Sequence, residues 1–448
     1  MTLRINNTNN KTYKFIDIFA GMGGMRLGFE QAFNELGIKT ECVMTSEIKK
    51  HAIDVLEHNF EHKLFVGDIT KVTNEEIPDF DFLLGGFPCQ AFSSAGNRDG
   101  FCDTRGTLFF EIERILEAKK PHGFILENVE GLVTHDKGRT LEVILQSLDN
   151  LGYKVDWKVI DSKDLGLPQS RKRIYIVGSL DAKINLNHVE TSSPKFFEAI
   201  QEQGLKTIDS NFTKKLLSHL PVEALYGKAI KDKRGGENNI HSWDFGLKGE
   251  VTEAQKKLLL QLFKERRKKH WAEKIGIVWM DGMSLTLDQI ATFFEDENLE
   301  EMLEDLVQKG YLKFEHPKEK VEVIINGNKV SRREYATDKA KGYNIVTGKL
   351  SFEFSKILDP KGLAPTLVAA DVEKLGVIDG KGIRKVSLRE GLRLFGYPES
   401  YSLEIFKKNA TTKRKAFDLL GNTVAVPVIK EVAKELANVY KDIPVASL

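Results

Sequence analysis

The residue best suited to act as a nucleophile in this sequence is Cys89. It lies in the segment Pro88-Cys89-Gln90, within a loop rich in glycine and serine that follows the apolar stretch 80–84. Backbone N–H groups in such a loop, at the carboxyl end of a strand, could lower the pKa of the thiol below about 8.5. A single cysteine can instead be a small buried hydrophobe, which is our interpretation of Cys42, and nothing assigns a role to Cys102.

An acid and two arginines could complete a nucleophilic site around this cysteine. Glu127 and Asn128 end the next apolar stretch, and Arg171 and Arg173 stand at alternate positions just before another one. The carboxyl ends of neighbouring parallel strands share a crevice, so we expect Glu127 to face the cysteine there. Alternate residues of an extended chain share a face, which predicts that Arg171 and Arg173 point together toward an anion or a polarised carbonyl. The alternatives are a turn cap for Glu127 and structural salt bridges for the arginines, above all for Arg173.

A glycine-rich loop followed by two acids predicts a site for an adenosine-type cofactor. The loop, Phe19-Ala-Gly21-Met-Gly23-Gly24, follows a strand and precedes a helix, so its backbone can approach a ligand beside free N–H groups. Glu47 ends the next strand, where an acid can hold a ribose diol, and Asp68 ends the one after it. Arg26 stands where the dinucleotide fingerprint has its third glycine, which disfavours a nicotinamide dehydrogenase. Tight packing of helix on strand is the alternative explanation of the loop.

The elements that must position these groups alternate along residues 13–185. Strands are predicted at 15–19, 40–45, 80–84, 123–127, 153–160 and 174–177, and helices at 25–36, 49–59, 107–119 and 140–151. This rhythm predicts an α/β fold with a doubly wound, parallel, Rossmann-like sheet that binds ligands at the carboxyl ends of its strands.

Composition and charge exclude several classes of protein, but the net charge does not decide whether the protein binds nucleic acid. The 448 residues hold 66 Lys+Arg against 65 Asp+Glu and three cysteines, too few for a disulfide scaffold. No apolar run could span a membrane, no secretory signal is visible and no Cys/His spacing indicates a metal, so we expect a cytoplasmic protein without metal. The near-neutral total hides local excesses of about six basic charges over 228–274, eight acidic over 288–305 and four basic over 309–341.

The middle of the chain loosely resembles a winged helix, with helices followed by a β-ribbon. A capping box at 252–255 opens a predicted helix that runs through Lys269, and the segment 321–327 predicts a hairpin. The basic cluster 266–269 is a candidate phosphate contact, although a solvated helix face beside core tryptophans explains it nearly as well; the tryptophans nearby are Trp243, Trp271 and Trp279. The acidic stretch 288–305 argues against DNA reading by this unit and favours packing or a protein contact.

Together these motifs resemble those of the cytosine-5 DNA methyltransferase family. The match extends to Asp103–Phe109, Arg389–Pro398 and Gly421–Val424, in an order and spacing that agree across 13–180 and 385–440. The resemblance implies S-adenosylmethionine as the cofactor, in a site lined by Phe19, Gly21, Met22, Gly24, Glu47, Ile48, Asp68, Ile69, Pro88, Leu108, Asn422 and Thr423. It implies a catalytic domain over 1–185 and a mixed α+β target-recognition domain over 186–385, with a helical insertion at about 250–315. The last helix of the segment 386–448 would return to the catalytic domain.

The chemistry of that family accounts for the residue types. Carbon 5 of cytosine is a weak nucleophile, and addition of the Cys89 thiolate to carbon 6 would push electron density onto it. The resemblance implies that Glu127 hydrogen-bonds or protonates N3, which requires a raised carboxyl pKa, and that Arg171 binds O2. Asn128 and Arg173 complete the predicted catalytic set. The cytosine has to flip out of the stacked duplex first.

We therefore expect a sequence-specific DNA cytosine-5 methyltransferase, most similar to bacterial enzymes that protect host DNA in restriction-modification systems. It would act as a monomer on double-stranded DNA in the bacterial cytosol, with a cognate restriction endonuclease as its functional partner. A tRNA cytosine-5 methyltransferase is the first alternative, disfavoured by the long variable region 190–385. The second is an inactive DNA-binding relative, disfavoured by the intact Cys89, Glu127 and Arg171.

Overall fold

The computed structural model describes most of the chain in two compact units. The described ranges are 11–88, 107–232, 235–278, 282–325, 328–346, 352–368, 372–406 and 410–441. The first unit comprises Met1–Glu202, Asp359–Glu373 and Val386–Leu448, and the second comprises Gln203–Leu358 and Lys374–Lys385. By this division the first unit extends beyond residue 185 and takes in a short segment from the middle of the chain.

A seven-stranded sheet forms the centre of the first unit. Its strands are β1 (Thr12–Ile18), β2 (Lys39–Ser46), β3 (Phe65–Val66), β4 (Phe82–Gly86), β5 (Gly123–Val129), β6 (Lys154–Asp161) and β7 (Lys172–Ser179). They are arranged in the order β3-β2-β1-β4-β5-β7-β6. The pairs from β3 to β5 are parallel, whereas β7 is antiparallel to both of its neighbours. The strand order reverses between β1 and β4, the switch point at which such sheets bind ligands.

Helices cover both faces of this sheet, as its apolar strands require. The first four are α1 (Gly24–Glu35), α2 (Lys50–Asn59), α3 (Thr107–Lys119) and α4 (Arg139–Asn150). On one face Phe29 and Phe33 of α1 join a core with Phe15 and Phe82, and on the other face α3 and α4 pack against β1 and β4. The predicted doubly wound, Rossmann-like α/β fold is confirmed, with β7 as the one reversed strand of this sheet.

The second unit mixes short helices with small sheets. Its helices are α5 (Asn211–His219), α6 (Val222–Leu225), α7 (Glu253–Glu265), α8 (Lys269–Ile275), α9 (Leu287–Ala291) and α10 (Leu299–Gln308). Its strands are β8 (Ala229–Ile230), β9 (Asn239–Ile240), β10 (Leu312–Glu315), β11 (Lys318–Ile325), β12 (Asn328–Tyr335), β13 (Gly342–Ile345), β14 (Lys356–Ile357), β15 (Leu375–Asp379) and β16 (Gly382–Lys385). Five of them form the sheet β16-β15-β14-β8-β9, and β10 with β13 and β11 with β12 form two-stranded sheets.

Two sequence predictions for this unit have different outcomes. The capping box is present, because the Thr252 side chain accepts from Gln255 N and the Gln255 side chain accepts from Thr252 N. The helix that it opens ends at Glu265 rather than at Lys269. Arg266, the residue at the end of this helix, is buried, and its Nη1 donates to Asn344 Oδ1 at 2.7 Å.

Three helices at the end of the chain complete the first unit: α11 (Leu388–Leu394), α12 (Ala410–Asn422) and α13 (Val426–Tyr440). Helix α13 packs on α1 at Gly28, where a Cβ atom would lie 2.6 Å from Ile429. Its apolar face joins the same core as Phe15 and Phe82. The end of the chain is therefore part of the support beneath the glycine-rich loop.

Candidate active site

Two of the predicted catalytic residues, Glu127 and Arg173, meet at one edge of the sheet because of the reversed strand. Glu127 lies near the carboxyl end of β5, opposite Gly86 at the end of β4 and opposite Tyr175 of β7. Arg173 lies at the beginning of β7, opposite Val129. Since β7 runs antiparallel to β5, its beginning and the end of β5 lie at the same edge.

The glycine-rich loop turns tightly and leaves space above its backbone. Phe19, Gly21 and Gly23 all have positive φ, at 57°, 55° and 72°. A Cβ atom at Gly21 would meet nothing within 4 Å, whereas one at Gly23 would lie 2.5 Å from the Phe60 ring. Gly23 is therefore needed for packing, and the open side of Gly21 allows a ligand to approach the backbone closely.

Glu47 joins the loop to the end of β2. Its Oε2 accepts from Gly21 N at 2.8 Å, and its Oε1 accepts from Ile48 N and Lys49 N at 2.8 Å each. A carboxylate has about four acceptor positions, so one on Oε2 stays available. The side chain is buried yet can still accept one hydrogen bond from a ligand hydroxyl.

The other predicted cofactor residues near this edge differ in what they can offer. Ile48 is 70% exposed, unusual for a large apolar side chain, whereas the side chains of Met22 and Ile69 are buried. Asp68 is partly exposed, and its Oδ1 accepts from the backbone N and the hydroxyl of Thr70. Met22 and Ile69 could therefore meet a ligand only through their backbone, while Ile48 and Asp68 offer side chains. Pro88 is exposed and Leu108 is half-buried.

The C-terminal segment brings two tyrosines against the loop that the sequence did not single out. A Cβ atom at Gly24 would lie 2.6 Å from Tyr397 Oη, and the Tyr401 hydroxyl donates to the Met22 carbonyl at 2.6 Å. Tyr397 Oη is also hydrogen-bonded to Thr423 Oγ1. Tyr397 lies within the motif 389–398, but the spacing of that motif does not indicate which of its side chains would reach the loop. Asn422, exposed, is held by the Asp418 carbonyl.

Glu127 is a buried acid paired with Arg173. The Arg173 Nε lies 3.1 Å from Glu127 Oε1, with both side chains largely covered. Burial raises the pKa of Glu127, and the positive charges of Arg173 and Arg171 offset only part of that rise. A carboxyl group in this setting keeps its proton more readily than an exposed one, as a hydrogen-bond donor to a base nitrogen must.

Asn128 fixes the segment that leads to the predicted nucleophile. Its Nδ2 donates to the Phe87 carbonyl at 3.0 Å, and its Oδ1 accepts from Val129 N. This bond joins the chain just before Pro88 to the strand of Glu127, so Asn128 acts by position. Cys89 itself lies outside the described residues, as does Cys102.

Arg171 has a different environment from the one predicted. Its side chain is buried, and its guanidinium donates to the carbonyls of Leu367 (3.0 Å), Gly421 (3.3 Å) and Thr423 (2.7 Å). Burial lowers the pKa of Arg171 to about 10. The two arginines therefore do not act as a pair: Arg171 holds the backbone on both sides of Asn422, and Arg173 stands beside Glu127. Arg173 is therefore the arginine next to the acid, whereas the resemblance implies O2 binding by Arg171.

A buried acid that the sequence did not single out lies beneath the glycine-rich loop. Asp17 of β1 is 1% exposed, and neither of its carboxyl oxygens has a hydrogen-bond partner among the described residues. Burial raises its pKa to about 8, against the opposing effect of Arg26. In the sequence Asp17 is a lone acid within a strand, and such a pattern does not reveal that it is unpaired.

We expect Asp17→Asn to stabilise the protein, and more so at pH 8 than at pH 5. The unfolded chain ionises this acid near pH 4 and the folded chain near pH 8, so the wild type loses stability as the pH rises between them. The asparagine variant lacks that loss. Thermal unfolding at both pH values measures the difference in stability between the variant and the wild type. From pH 5 to pH 8 this difference should grow by the equivalent of about 1 kcal/mol or more. Asp54→Asn, at an exposed position of α2, is the control, and an equal difference at both pH values for Asp17→Asn would contradict the account.

Other candidates from the sequence have structural explanations. Cys42 is a buried hydrophobe as predicted, and burial raises its pKa to about 11. Trp243 and Trp271 are 1% and 3% exposed, so the core interpretation holds for these two. In the basic cluster Arg266 is buried, so it lies neither on a solvated helix face nor at a surface that could meet a phosphate. Trp279 lies outside the described residues. Within the described ranges no group of three or more potential ligands could hold a metal ion.

In the part of the chain that the structure describes, none of the helices combines the length and the apolar character needed to cross a bilayer.

Comparison with known proteins supports one family. Residues 13–438 match the family model described as C-5 cytosine-specific DNA methylase. The Type II methyltransferase M.NlaIV of Neisseria lactamica is 57% identical over 430 residues, which cover 94% of this chain and 98% of that protein. M.NgoBV of Neisseria gonorrhoeae is 56% identical over the same shares, and M.BanI of Aneurinibacillus aneurinilyticus is 39% identical over 94% and 95%.

Two solved structures share the fold at low identity. A DNA modification methyltransferase encoded within an E. coli prophage superposes with a TM-score of 0.53 at 21% identity, over 96% of this chain and 100% of that one. The Dnmt2 methyltransferase of S. pombe has a TM-score of 0.51 at 17% identity, over 95% and 98%. At these identities the likeness concerns the fold alone.

Proposed function

The chain belongs to the C-5 cytosine-specific DNA methylase family and is a DNA cytosine-5 methyltransferase, and we propose that it methylates a cytosine within one specific sequence of duplex DNA. The observation that carries the proposed chemistry is the buried pair of Glu127 and Arg173. A carboxyl with a raised pKa and a guanidinium stand side by side at the carboxyl edge of the sheet. The first can donate to N3 of a cytosine and the second to its O2.

The residues of this edge suit S-adenosylmethionine as the cofactor. Glu47 keeps one acceptor position for a ribose hydroxyl, Asp68 can accept from an exocyclic amine and Ile48 offers an exposed apolar surface to a flat base. The open side of Gly21 lets the loop backbone lie against the ligand. When bound, the cofactor supplies an electrophilic methyl group. The glycine-rich loop is supported by contacts with Tyr397 and Tyr401. The backbone on both sides of Asn422 is held by hydrogen bonds from Arg171.

Cys89 is proposed as the nucleophile that makes cytosine reactive. Its thiolate would add to carbon 6 while Glu127 donates to N3, so that electron density collects at carbon 5. Arg173 would stabilise the charge that develops on O2, the role that the sequence assigned to Arg171. Once carbon 5 has gained the methyl group, loss of its proton to a base would restore the double bond between carbons 5 and 6 and release the Cys89 thiolate. Since Glu127 and Arg173 lie at the edge of a protein sheet, the base would have to leave the DNA stack to reach them.

Protection of host DNA in a restriction-modification system is the proposed cellular role. It rests on the Type II methyltransferases that cover nearly all of this chain. We further propose that the enzyme acts as a monomer in the bacterial cytosol, with a restriction endonuclease of the same specificity as its functional partner.

A substrate competition tests the proposed function. The protein is incubated with labelled S-adenosylmethionine and equal amounts of mixed-sequence duplex DNA and tRNA, and the product base is identified by mass. We expect 5-methylcytosine in DNA and none in tRNA, with no product from Cys89→Ser. Methylation of tRNA in preference to DNA would support an RNA enzyme, and no methylation of either would support an inactive relative.

A further inference from the structure

The β-ribbon of the second unit is unusually exposed. Strands β11 and β12 pair only with each other among the described strands, and every residue from Val330 to Tyr335 is exposed. Eight residues per strand make the ribbon about 26 Å long. The Tyr335 hydroxyl donates to Glu315 Oε2 at 2.8 Å and anchors the base of the ribbon. Among the described residues, no other hydrogen bond or ion pair joins a side chain of the ribbon to the rest of the chain.

The register of the ribbon sorts its charges onto two faces. Residues directly opposite each other share a face, and successive pairs alternate between faces. One face, which we call the cationic face, carries the pairs Lys318–Tyr335, Lys320–Arg333 and Glu322–Ser331. The other carries Glu319–Glu334, Val321–Arg332 and Val323–Val330. Three cations against one acid thus stand on the first face, and two acids against one cation on the second.

The cationic face is held in a repulsive arrangement. Lys320 lies directly opposite Arg333, and two like charges in this position destabilise a ribbon. Neither side chain has an ion-pair partner among the described residues. An anion supplied from outside the chain would remove the repulsion. On the other face Glu319 and Glu334 oppose each other and would repel the same anion.

Resting on the proposed function, we infer that the cationic face lies in the major groove of the DNA duplex that carries the target cytosine. The major groove, about 12 Å wide, admits a two-stranded ribbon of this kind. Lys320 and Arg333 can neutralise phosphates or donate to guanine edges, and Ile324, 73% exposed on the same face, can contact a thymine methyl group. Helix α10 presents the exposed acids Glu300, Glu301 and Glu304 instead. The sequence predicted packing or a protein contact for this whole unit. The charge of the ribbon favours DNA binding, whereas the charge of helix α10 does not.

Neighbouring arginines on opposite faces provide a matched test. Arg333→Gln and Arg332→Gln remove the same charge from adjacent, exposed positions of one strand. We expect Arg333→Gln to raise the Kd for duplex DNA about 10-fold and to reduce the slope of log K against log salt by about one. We expect the same effects from Lys320→Gln. The Kd of Arg332→Gln for duplex DNA should stay within about twofold of the wild-type value. A general loss of positive surface charge would weaken binding equally in the two arginine variants, so it would not produce this difference. Equal effects of Arg332→Gln and Arg333→Gln, or no effect of either, would overturn the inference.

Dimethyl sulfate footprinting tests the choice of groove, because guanine N7 lies in the major groove. The wild type should protect guanines of its site, and Arg333→Gln should lose protection at one or more of them, whereas an unchanged pattern would overturn the groove assignment. Failure of the proposed function is distinguishable, because the wild type would then form no 5-methylcytosine in DNA. Failure of this inference would leave methylation intact and the two arginine variants alike.

Discussion

Replacing Glu127 by glutamine is expected to reduce the rate of methyl transfer about 100-fold or more while the Kd for S-adenosylmethionine stays within about twofold. Glutamine preserves the shape of the side chain but cannot transfer a proton to N3. The cofactor contacts at Gly21, Glu47 and Asp68 follow the ends of β1, β2 and β3 and do not involve Glu127. Single-turnover methylation with saturating cofactor separates the chemical step from binding.

The pH dependence of the wild type gives a second readout of the same carboxyl group. Burial raises the pKa of Glu127, and the protonated form is the one that donates to N3. The single-turnover rate should therefore fall as the pH rises through this raised pKa, and Glu127→Gln should lack that fall. Glu130→Gln, at an exposed position three residues further along, is the control. Equal losses of rate and of cofactor affinity in Glu127→Gln would contradict a catalytic role.

Replacing Arg171 by glutamine is expected to lower the free energy of unfolding by about 3 kcal/mol and to weaken cofactor binding. The arginine donates to three backbone carbonyls, and a charged hydrogen bond contributes about 1.5–3 kcal/mol. Two of those carbonyls flank Asn422, a predicted cofactor residue. Thermal unfolding and isothermal titration with S-adenosylmethionine measure the two effects.

The matched control for this variant is Lys172→Gln. Lys172 is the next residue, is exposed and also carries a positive charge. We expect its replacement to change neither unfolding nor cofactor affinity. If Arg171→Gln unfolded like the wild type and bound cofactor normally while losing only its catalytic rate, Arg171 would be the O2 ligand that the sequence predicts.

The helices and strands of the first unit were largely predictable because their signals are local. Helix α3 was predicted at 107–119 and has those limits in the structure. Alternating apolar strands and helices with clear caps define such elements without reference to the rest of the chain. The glycine-rich loop was placed correctly between β1 and α1 for the same reason.

The orientation of β7 and the partners of the arginines could not be predicted in this way. Spacing shows that Arg171 and Arg173 precede a strand, but not that the strand is antiparallel, and only this brings Arg173 beside Glu127. The carbonyls that surround Arg171 come from residues 196 to 252 positions later in the chain. Long-range contacts of this kind leave no periodic signal, and the same is true of Tyr397 beneath Gly24.

Bisulfite sequencing of DNA from cells that express the protein is the direct test of sequence-specific cytosine methylation. We expect 5-methylcytosine at one position of a single short recognition sequence throughout the genome, and none in cells that express Cys89→Ser at the same level. DNA without 5-methylcytosine in the wild type, or full methylation by Cys89→Ser, would contradict this expectation.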